Sequence, residues 1–196
     1  ENRAHFWAVF GKTSHNLSDL IAFESNESQP ATAPQTIREL LKNDFEDTLQ
    51  IQFRSDVKHS GNVAMHMGAA EFGSTMATEP GAMKDARPGD WVRVSCWGYS
   101  KLAEKTYDLG KLASLVVTLQ NKDGKLLKYR QINISTKIDN EQGSIWESGK
   151  ADTWGEAVFY IKIPADFLPD GTIRTYVWNP NRERINIDDM SVALCR

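Results

Sequence analysis

The sequence predicts an all-β fold, an antiparallel β-sandwich of the Greek-key or jelly-roll type. From Leu49 onwards the chain consists of short runs in which apolar and polar residues alternate, which is the pattern of half-buried strands. Turn signals separate these runs, and none shows the period of about 3.6 residues that marks an amphipathic helix. Strands at this spacing, without helices between them, favour two packed antiparallel sheets over an α/β fold.

Length, composition and charge narrow the classes of function. A chain of 196 residues can bury one sizeable core, and 40% hydrophobic with 25% charged residues is ordinary for a globular domain. The formal net charge of -3 and the lack of a basic run do not favour a nucleic-acid partner. No run approaches the roughly 18–20 apolar residues of a membrane helix, so no membrane span is predicted.

The first part of the chain differs in composition from the rest. Residues 1–40 are predicted to be an N-terminal arm or linker, and residues 41–196 the sandwich domain. Glu24–Pro34 is polar and contains proline, which is typical of a loop, and Thr36–Lys42 is predicted to form one helical turn. The apolar run His5–Phe10 is a candidate to pack on the sandwich and to cover part of its outer surface.

Turn signals bound the predicted strands. Pro88 and Gly89 precede the strand that starts at Trp91, and Asn121–Gly124 is predicted to be a hairpin turn. Pro169–Gly171 turns the chain into a further strand. In order, strands are predicted at Leu49–Phe53, Asn62–Met67, Trp91–Tyr99, Ala113–Gln120, Leu126–Ser135, Glu156–Ile163, Thr172–Trp178 and Arg184–Cys195.

The closing strand carries two adjacent aspartates in an alternating run. Strict alternation predicts that Asp188 shares the core-facing side with Met190, Val192 and Leu194. A carboxylate directed at a core is costly unless it is paired, hydrogen-bonded or bound to a metal. The acidic segment Asn43–Asp47 is predicted to meet this strand in space. Two alternatives are that Asp188 caps a turn, or that it pairs with an arginine such as Arg184 while Asp189 faces water.

Four segments, in order, resemble the jelly-roll carbohydrate-binding modules of the galactose-binding-like superfamily. The resemblance spans residues 43–196 and implies the same sandwich fold, an extracytoplasmic location and a glycan or polysaccharide partner. The segments are Asn43–Asp47, His59–Met67, Arg87–Trp97 and Ile187–Val192. They match the opening Asn-Gly-Asp-Phe-Glu, a Ser-Gly turn with its strand, a Pro-Gly turn followed by a strand that ends in an aromatic residue, and the closing Ile-Asp-Asp-Val-Ser of that superfamily.

The resemblance also implies a structural calcium ion between the start and the end of the domain. Carried over by position, Glu46 and Asp188 are the side-chain ligands, and Asp189 is a second candidate. Calcium accepts six to eight oxygen ligands in irregular geometry, so carboxylates far apart in sequence can share it. The sequence departs from the superfamily at Asp44, where a glycine is usual, and this leaves the exact turn at that position open.

Aromatic residues on the outer faces of two predicted strands form the candidate ligand surface. If Val92, Val94 and Cys96 face the core, the other side of their strand presents aromatic residues and an arginine. A flat apolar sugar face stacks on aromatic rings, while hydroxyl groups at its edges need polar partners. An alternative is that a loop or the N-terminal arm covers these rings. Trp146 and Trp154 lie in the polar, glycine-containing segment Asn140–Gly155, where exposed loop aromatics are expected. The predicted ligand-binding residues, on the two strands and in this segment, are Trp97, Tyr99, Trp146, Trp154, Arg174, Tyr176 and Trp178.

No catalytic arrangement is recognisable in the sequence. Phosphate-binding glycine motifs and a Gly-x-Ser-x-Gly elbow are absent, and the histidines show no metal spacing. Cys96 and Cys195 fall in predicted strands and are compatible with one disulfide or with two buried thiols. We therefore expect a non-catalytic glycan-binding module. The alternative is a structural or protein-interaction sandwich that belongs to a larger surface or membrane protein and binds no sugar.

Overall fold

The computed structural model describes residues 29–47, 53–68, 70–100, 113–134, 139–140, 143–144, 154–182 and 184–196. These residues form two antiparallel sheets packed face to face, which confirms the predicted β-sandwich. In chain order the strands are β1 (Thr36–Asn43), β2 (Arg54–Ser55), β3 (Ala64–His66), β4 (Phe72–Ala77), β5 (Trp91–Ser100), β6 (Ser114–Gln120), β7 (Leu126–Asn133), β8 (Asp139–Asn140), β9 (Gly143–Ser144), β10 (Trp154–Lys162), β11 (Thr172–Trp178) and β12 (Ile185–Cys195). The described part of the chain has no helix that is long and apolar enough to cross a membrane.

The larger sheet contains the first and the last of these strands, and we call it the terminal sheet. Its order is β10-β5-β12-β3-β2, and β1 pairs with β12 as well. β1 lies along residues 190–195 of β12, whereas β3 pairs with residues 186–187. The second, four-stranded sheet has the order β4-β11-β6-β7. β8 and β9 form a separate short hairpin.

The strand faces predicted to be apolar build the core between the two sheets. Val92, Val94 and Cys96 of β5 are fully buried, as are Ile173, Thr175 and Val177 of β11. Ala157, Phe159, Ile161 and Ile163 line one side of β10, as their alternation predicts. The predicted hairpin at Asn121–Gly124 joins β6 to β7, and the positive φ of 80° at Gly124 explains the glycine in this turn.

A β-bulge in β12 corrects the predicted orientation of Asp188. Asp188 is opposite Trp97 and Ser191 is opposite Ser95, so Asp189 and Met190 together oppose one residue of β5. The extra residue, Asp189, has a φ of 46° and shifts the alternation by one position. Core residues before the bulge are therefore Ile185 and Ile187, and those after it are Met190, Val192 and Leu194. Asp188 faces away from the core, on the outer side of the terminal sheet.

The segment predicted as one helical turn, Thr36–Lys42, belongs instead to strand β1. Its backbone pairs with β12 from Thr36 opposite Cys195 to Asn43 opposite Met190. Tertiary pairing overrides the local preference here, because Leu40 and Leu41 pack against the core from this position. Residues 36–40, assigned to the arm by sequence, are thus part of the sandwich. Residues 1–28, including the run His5–Phe10, lie outside the described part.

Upstream of β1, one side chain covers the edge of the terminal sheet. The Gln29 amide donates to the Tyr160 carbonyl at 3.1 Å and accepts from the Tyr160 N–H at 3.0 Å. This pair of bonds satisfies backbone groups of β10 that face away from β5. Gln29, upstream of β1, therefore contacts the sandwich at this edge.

The two cysteines are free thiols on opposite sides of the terminal sheet. Cys96 belongs to the core, and Cys195 lies on the outer side, with its Sγ 3.8 Å from the Thr36 hydroxyl. Burial raises the pKa of the Cys96 thiol far above its ordinary value. The sequence allowed either one disulfide or two buried thiols, and the structure shows two buried thiols.

Candidate functional site

The ligand-binding residues predicted from sequence divide between the two outer faces of the sandwich. Trp97, Tyr99 and Trp154 lie on the outer face of the terminal sheet, where Trp154 is directly opposite Tyr99. Arg174, Tyr176 and Trp178 lie on the outer face of the four-stranded sheet. Trp146 lies outside the described residues. Because the core separates the two sheets, these residues cannot form one site.

On the terminal sheet, a histidine covers one face of the central tryptophan. The His59 ring is stacked on Trp97 with centroids 3.7 Å apart and an interplanar angle of 12°. The same imidazole is 5.7 Å from the Trp154 ring, which in turn is 5.5 Å from Tyr99. Trp97 is half-buried. A sugar ring would have to displace His59 before it could stack on this face of Trp97.

Polar groups on the same outer face are engaged with one another. Arg93 forms an ion pair with Glu156, and its second terminal nitrogen donates to the Ser95 hydroxyl at 2.8 Å. Ser95 and Ser191 are hydrogen-bonded across the strands at 2.9 Å. These internal hydrogen bonds occupy polar groups of Arg93, Ser95 and Ser191 that could otherwise bind a glycan.

The two adjacent aspartates of β12 bind the loop that precedes β3, residues 59–63, which we call the His59 loop. One oxygen of Asp188 accepts the backbone N–H groups of His59 and Ser60 at 2.9 and 3.1 Å, and the other accepts the N–H of Asp189 at 2.9 Å. Asp189 accepts from the Ser60 hydroxyl at 3.0 Å and lies 2.8 Å from Nδ1 of His59. Burial raises the pKa of Asp188 above its ordinary value, against the opposing effect of these N–H donors. Asp188 therefore caps a turn, which was one of the sequence alternatives.

Glu46 holds the other end of the same loop. Its Oε1 accepts the backbone N–H groups of Asn62 and Val63 at 2.6 and 3.1 Å, and Oε2 accepts the Asn62 amide at 3.0 Å. These bonds from Asn62 lower the pKa of the Glu46 carboxyl. Gly61 has a φ of 57°, and a Cβ there would approach Oε1 of Glu46 to 2.2 Å. Only glycine fits this turn without moving the carboxylate, which explains the Ser-Gly signal in the sequence.

The residues of the predicted calcium site lie close to one loop, but they serve as hydrogen-bond acceptors. N–H donors bind both oxygens of Glu46 and both oxygens of Asp188. Among the described residues there is no group of three or more His, Cys, Asp or Glu side chains that could hold a metal ion. A cation at Glu46, Asp188 or Asp189 would compete with these donors for the carboxylate oxygens, and calcium binding stays a prediction.

The departure from the superfamily pattern at Asp44 has a simple structural basis. The turn after β1 places its positive φ, 65°, at the fully buried Phe45, and Asp44 is not in that region. The Asn43 side chain accepts the Phe45 N–H at 2.8 Å and stabilises the turn. Position 44 therefore has no need of the conformational freedom of glycine.

The outer face of the four-stranded sheet presents two neighbouring aromatic rings, one of them exposed. Phe72 of β4 is 58% exposed, and its ring centroid lies 6.2 Å from that of Tyr176 at an angle of 56°. Tyr176 is half-buried, and Arg174 beside it is exposed. Trp178 lies on the same face, but it is only 8% exposed, and its indole N–H donates to Glu71 at 3.3 Å. Trp178 therefore supports the sheet and offers no open ring face.

Strand register aligns polar side chains with these rings in two rows. One row crosses the four strands as Thr75, Tyr176, Val116 and Gln131. The neighbouring row crosses them as Ala77, Arg174, Thr118 and Tyr129. The Tyr129 hydroxyl donates to the Gln131 amide oxygen at 2.7 Å.

Sequence reasoning missed several residues of this face, among them Phe72, Tyr129 and Gln131. Phe72 lies in β4, a strand that was not predicted because Gly73 and Ser74 interrupt its apolar pattern. Tyr129 and Gln131 lie in a predicted strand, and the alternation of that strand was a signal that could have placed both on the outer face.

Comparison with solved structures returns carbohydrate-binding modules among the matches. The CBM22-1 xylan-binding domain of Paenibacillus barcinonensis Xyn10C is 13% identical, with a TM-score of 0.44 and coverage of 84% of this chain and 99% of that domain. A xylan-binding domain from CBM 22 is 12% identical, with a TM-score of 0.42 and coverage of 85% and 97%. The tailspike protein 4 enzymatically active domain of bacteriophage CBA120 is 9% identical, with a TM-score of 0.39 and coverage of 69% and 14%. No family model and no curated protein matches the sequence. Likenesses of this size assign no ligand to this chain.

Proposed function

We propose that this protein is a non-catalytic glycan-binding module and that the glycan lies on the outer face of the four-stranded sheet, which we call the ligand sheet from here on. The observation that carries the proposal is the exposed Phe72 beside the half-buried Tyr176, with Arg174 on the same strand as Tyr176 and Gln131 in the same row two strands away. An apolar side chain that is 58% exposed beside a second aromatic ring offers surface that the fold itself does not use.

The chemistry of this face suits a sugar. A pyranose ring has a flat apolar face that packs on an aromatic ring, and hydroxyl groups at its edge that exchange hydrogen bonds with amide and guanidinium groups. Tyr176 and Phe72 supply the first kind of contact, and Arg174 and Gln131 the second. The two rows described above contain no Asp, Glu or His, so this part of the surface offers no acid–base pair for hydrolysis.

The ligand sheet is the better candidate of the two outer faces. On the terminal sheet, His59 covers Trp97 and the ion pair between Arg93 and Glu156 satisfies the charged groups. On the ligand sheet, Arg174 forms no hydrogen bond or ion pair with the described residues. The extracytoplasmic location and the calcium ion belong to the same proposal, and both rest on the resemblance of the sequence motifs.

A binding screen against soluble glycans and polysaccharides, followed by calorimetric titration of the hits, tests this proposal. We expect a saturable ligand whose affinity falls about three- to tenfold in Tyr176→Ala and in Phe72→Ala, because each variant removes one stacking contact. Trp97→Ala is the matched control on the opposite sheet and is expected to bind as the wild type does.

Two results would contradict the assignment. If Trp97→Ala loses affinity while Tyr176→Ala and Phe72→Ala retain it, the site lies on the terminal sheet. If the folded protein binds none of the neutral and acidic glycans tested, the alternative of a structural or protein-interaction sandwich replaces the glycan proposal.

A further inference from the structure

One buried hydroxyl group on the outer side of the ligand sheet has no partner. Among the described residues, Oγ1 of Thr118 is the buried side-chain polar atom that forms no hydrogen bond. Val117 and Leu119, its neighbours in β6, are fully buried in the core, so the Thr118 side chain lies on the opposite, outer side. Thr118 itself is 7% exposed. An unsatisfied buried hydroxyl costs stability, and such a group calls for an explanation.

A second threonine on the same sheet shows how this fold satisfies a hydroxyl that it does not use for binding. Thr175 of β11 is fully buried on the core side, and its Oγ1 donates to the Val116 carbonyl at 2.8 Å. Thr118 has no such bond. The difference is one of position, because Thr118 is directed toward the surface that carries Tyr176 and Arg174.

The strand partners of Thr118 identify the kind of group that would bind there. Arg174 is directly opposite Thr118 on one side and Tyr129 is directly opposite on the other. Directly opposed residues have Cβ atoms about 4.5–5.5 Å apart, so the guanidinium of Arg174 and the hydroxyl of Thr118 can reach the same ligand group. No acidic side chain of the two described rows neutralises the guanidinium of Arg174.

We infer that the glycan bound on this face carries a carboxylate, as a uronic acid does, and that Thr118 and Arg174 form the subsite for it. The inference rests on the proposed function. A carboxylate only accepts hydrogen bonds, and this pair supplies donors: the hydroxyl of Thr118 and the planar N–H groups of Arg174, which match a carboxylate in geometry. Because Thr118 is only 7% exposed, binding requires side chains around it to change rotamer, a common adjustment on binding.

The test compares uronic acid polymers with their carboxyl-reduced, neutral forms. The probes are polygalacturonate, alginate and glucuronoxylan, each titrated in about 150 mM salt so that non-specific charge effects are screened. We expect at least one polymer to bind about tenfold or more tightly than its reduced form, because a charge-assisted hydrogen bond is lost on reduction. Arg174→Gln should abolish that preference.

Thr118→Val separates a ligand-binding role from a structural one. Valine keeps the shape of threonine and removes the unpartnered hydroxyl, so the melting temperature should stay the same or rise while uronate affinity falls about tenfold. Thr175→Val is the matched control, and it should lower the melting temperature without changing the affinity.

Each outcome bears on a specific part of the argument. Equal affinity for a polymer and its reduced form, or an unchanged uronate affinity in Thr118→Val, would overturn the carboxylate subsite. If neutral glycans bind and Tyr176→Ala weakens them, the proposed function stands although the acidic subsite falls. If no probe binds, neutral or acidic, both are overturned.

Discussion

Deletion of Asp189 should unfold or severely destabilise the sandwich, because the bulge in β12 sets which side chains enter the core. Asp189 is the extra residue between the pair Asp188 and Trp97 and the pair Ser191 and Ser95. Side chains in a strand alternate with a period of two, so removal of one residue turns one half of β12 over. The strand then buries either its first half or its second half correctly, but not both.

The burial of β12 gives the magnitude of this effect. If the first half turns over, Ile185 and Ile187, both 0% exposed, leave the core, and at about 1.5–3 kcal/mol each this costs about 3–6 kcal/mol. If the second half turns over, Met190, Val192 and Leu194 leave it, and the cost is about 4.5–9 kcal/mol. Either value is large beside a typical unfolding free energy of about 5–15 kcal/mol.

Urea denaturation followed by circular dichroism measures the loss. The matched control is Asp189→Gly, which keeps the residue count and adopts the φ of 46° without strain. We expect it to stay within about 1–2 kcal/mol of the wild type, since it loses only the bonds from Asp189 to His59 and Ser60. A deletion variant as stable as Asp189→Gly would refute the claim that the bulge determines the core face of β12.

Two further predictions concern charge. Hydrogen bonds from Arg196 lower the pKa of the Asp90 carboxyl. This pair therefore stabilises the folded state fully above about pH 4, the pKa range of Asp in an unfolded chain. Its contribution is lost as the pH falls through the lower pKa that Asp90 has in the folded state. Urea unfolding between pH 2 and 7 should therefore show a weaker acid dependence in Arg196→Gln, and an identical pH profile in both proteins would contradict the pairing. If calcium binds at Glu46 and Asp188 and is present at about a hundred times its dissociation constant, EDTA should lower the melting temperature by about 5–10 °C. Glu46→Gln should remove that shift, and a wild-type melting temperature that EDTA leaves unchanged would mean that these carboxylates serve only as hydrogen-bond acceptors.

Local patterns were sufficient to predict most of the sandwich. The alternating runs of β5, β6, β10 and β11 identified their core faces, because burial on one side of a strand selects apolar residues at every second position. The Ser-Gly signal identified the turn at Gly61, since only glycine fits beside Glu46 at that φ. At the bulge of β12, two adjacent residues oppose one residue of β5 and shift the alternation by one position. The rule of alternating faces therefore predicted the wrong face for Asp188.

The candidate site was predicted less well, because its parts come from strands that are distant in sequence. The sequence predicted Trp97 and Tyr176 equally as outward-facing aromatic residues. In the structure His59 covers one face of Trp97, whereas Tyr176 lies beside an exposed Phe72. Neither contact has a local signal. Trp178 is on the predicted side of its strand, but it is buried, and its indole N–H donates to Glu71.

The sequence by itself determined the fold class, the strands with clear alternation and the residue types available for binding, since these depend on spacing along the chain. Only the tertiary structure showed that His59 covers one face of Trp97 and that an exposed Phe72 lies beside Tyr176. It also placed Asp188 and Glu46 against the His59 loop and brought the unpartnered hydroxyl of Thr118 next to Arg174. The physical reason is that burial, stacking and hydrogen-bond satisfaction are properties of neighbours in space, and in a sandwich of distant strands those neighbours are fixed by register and by a single bulge.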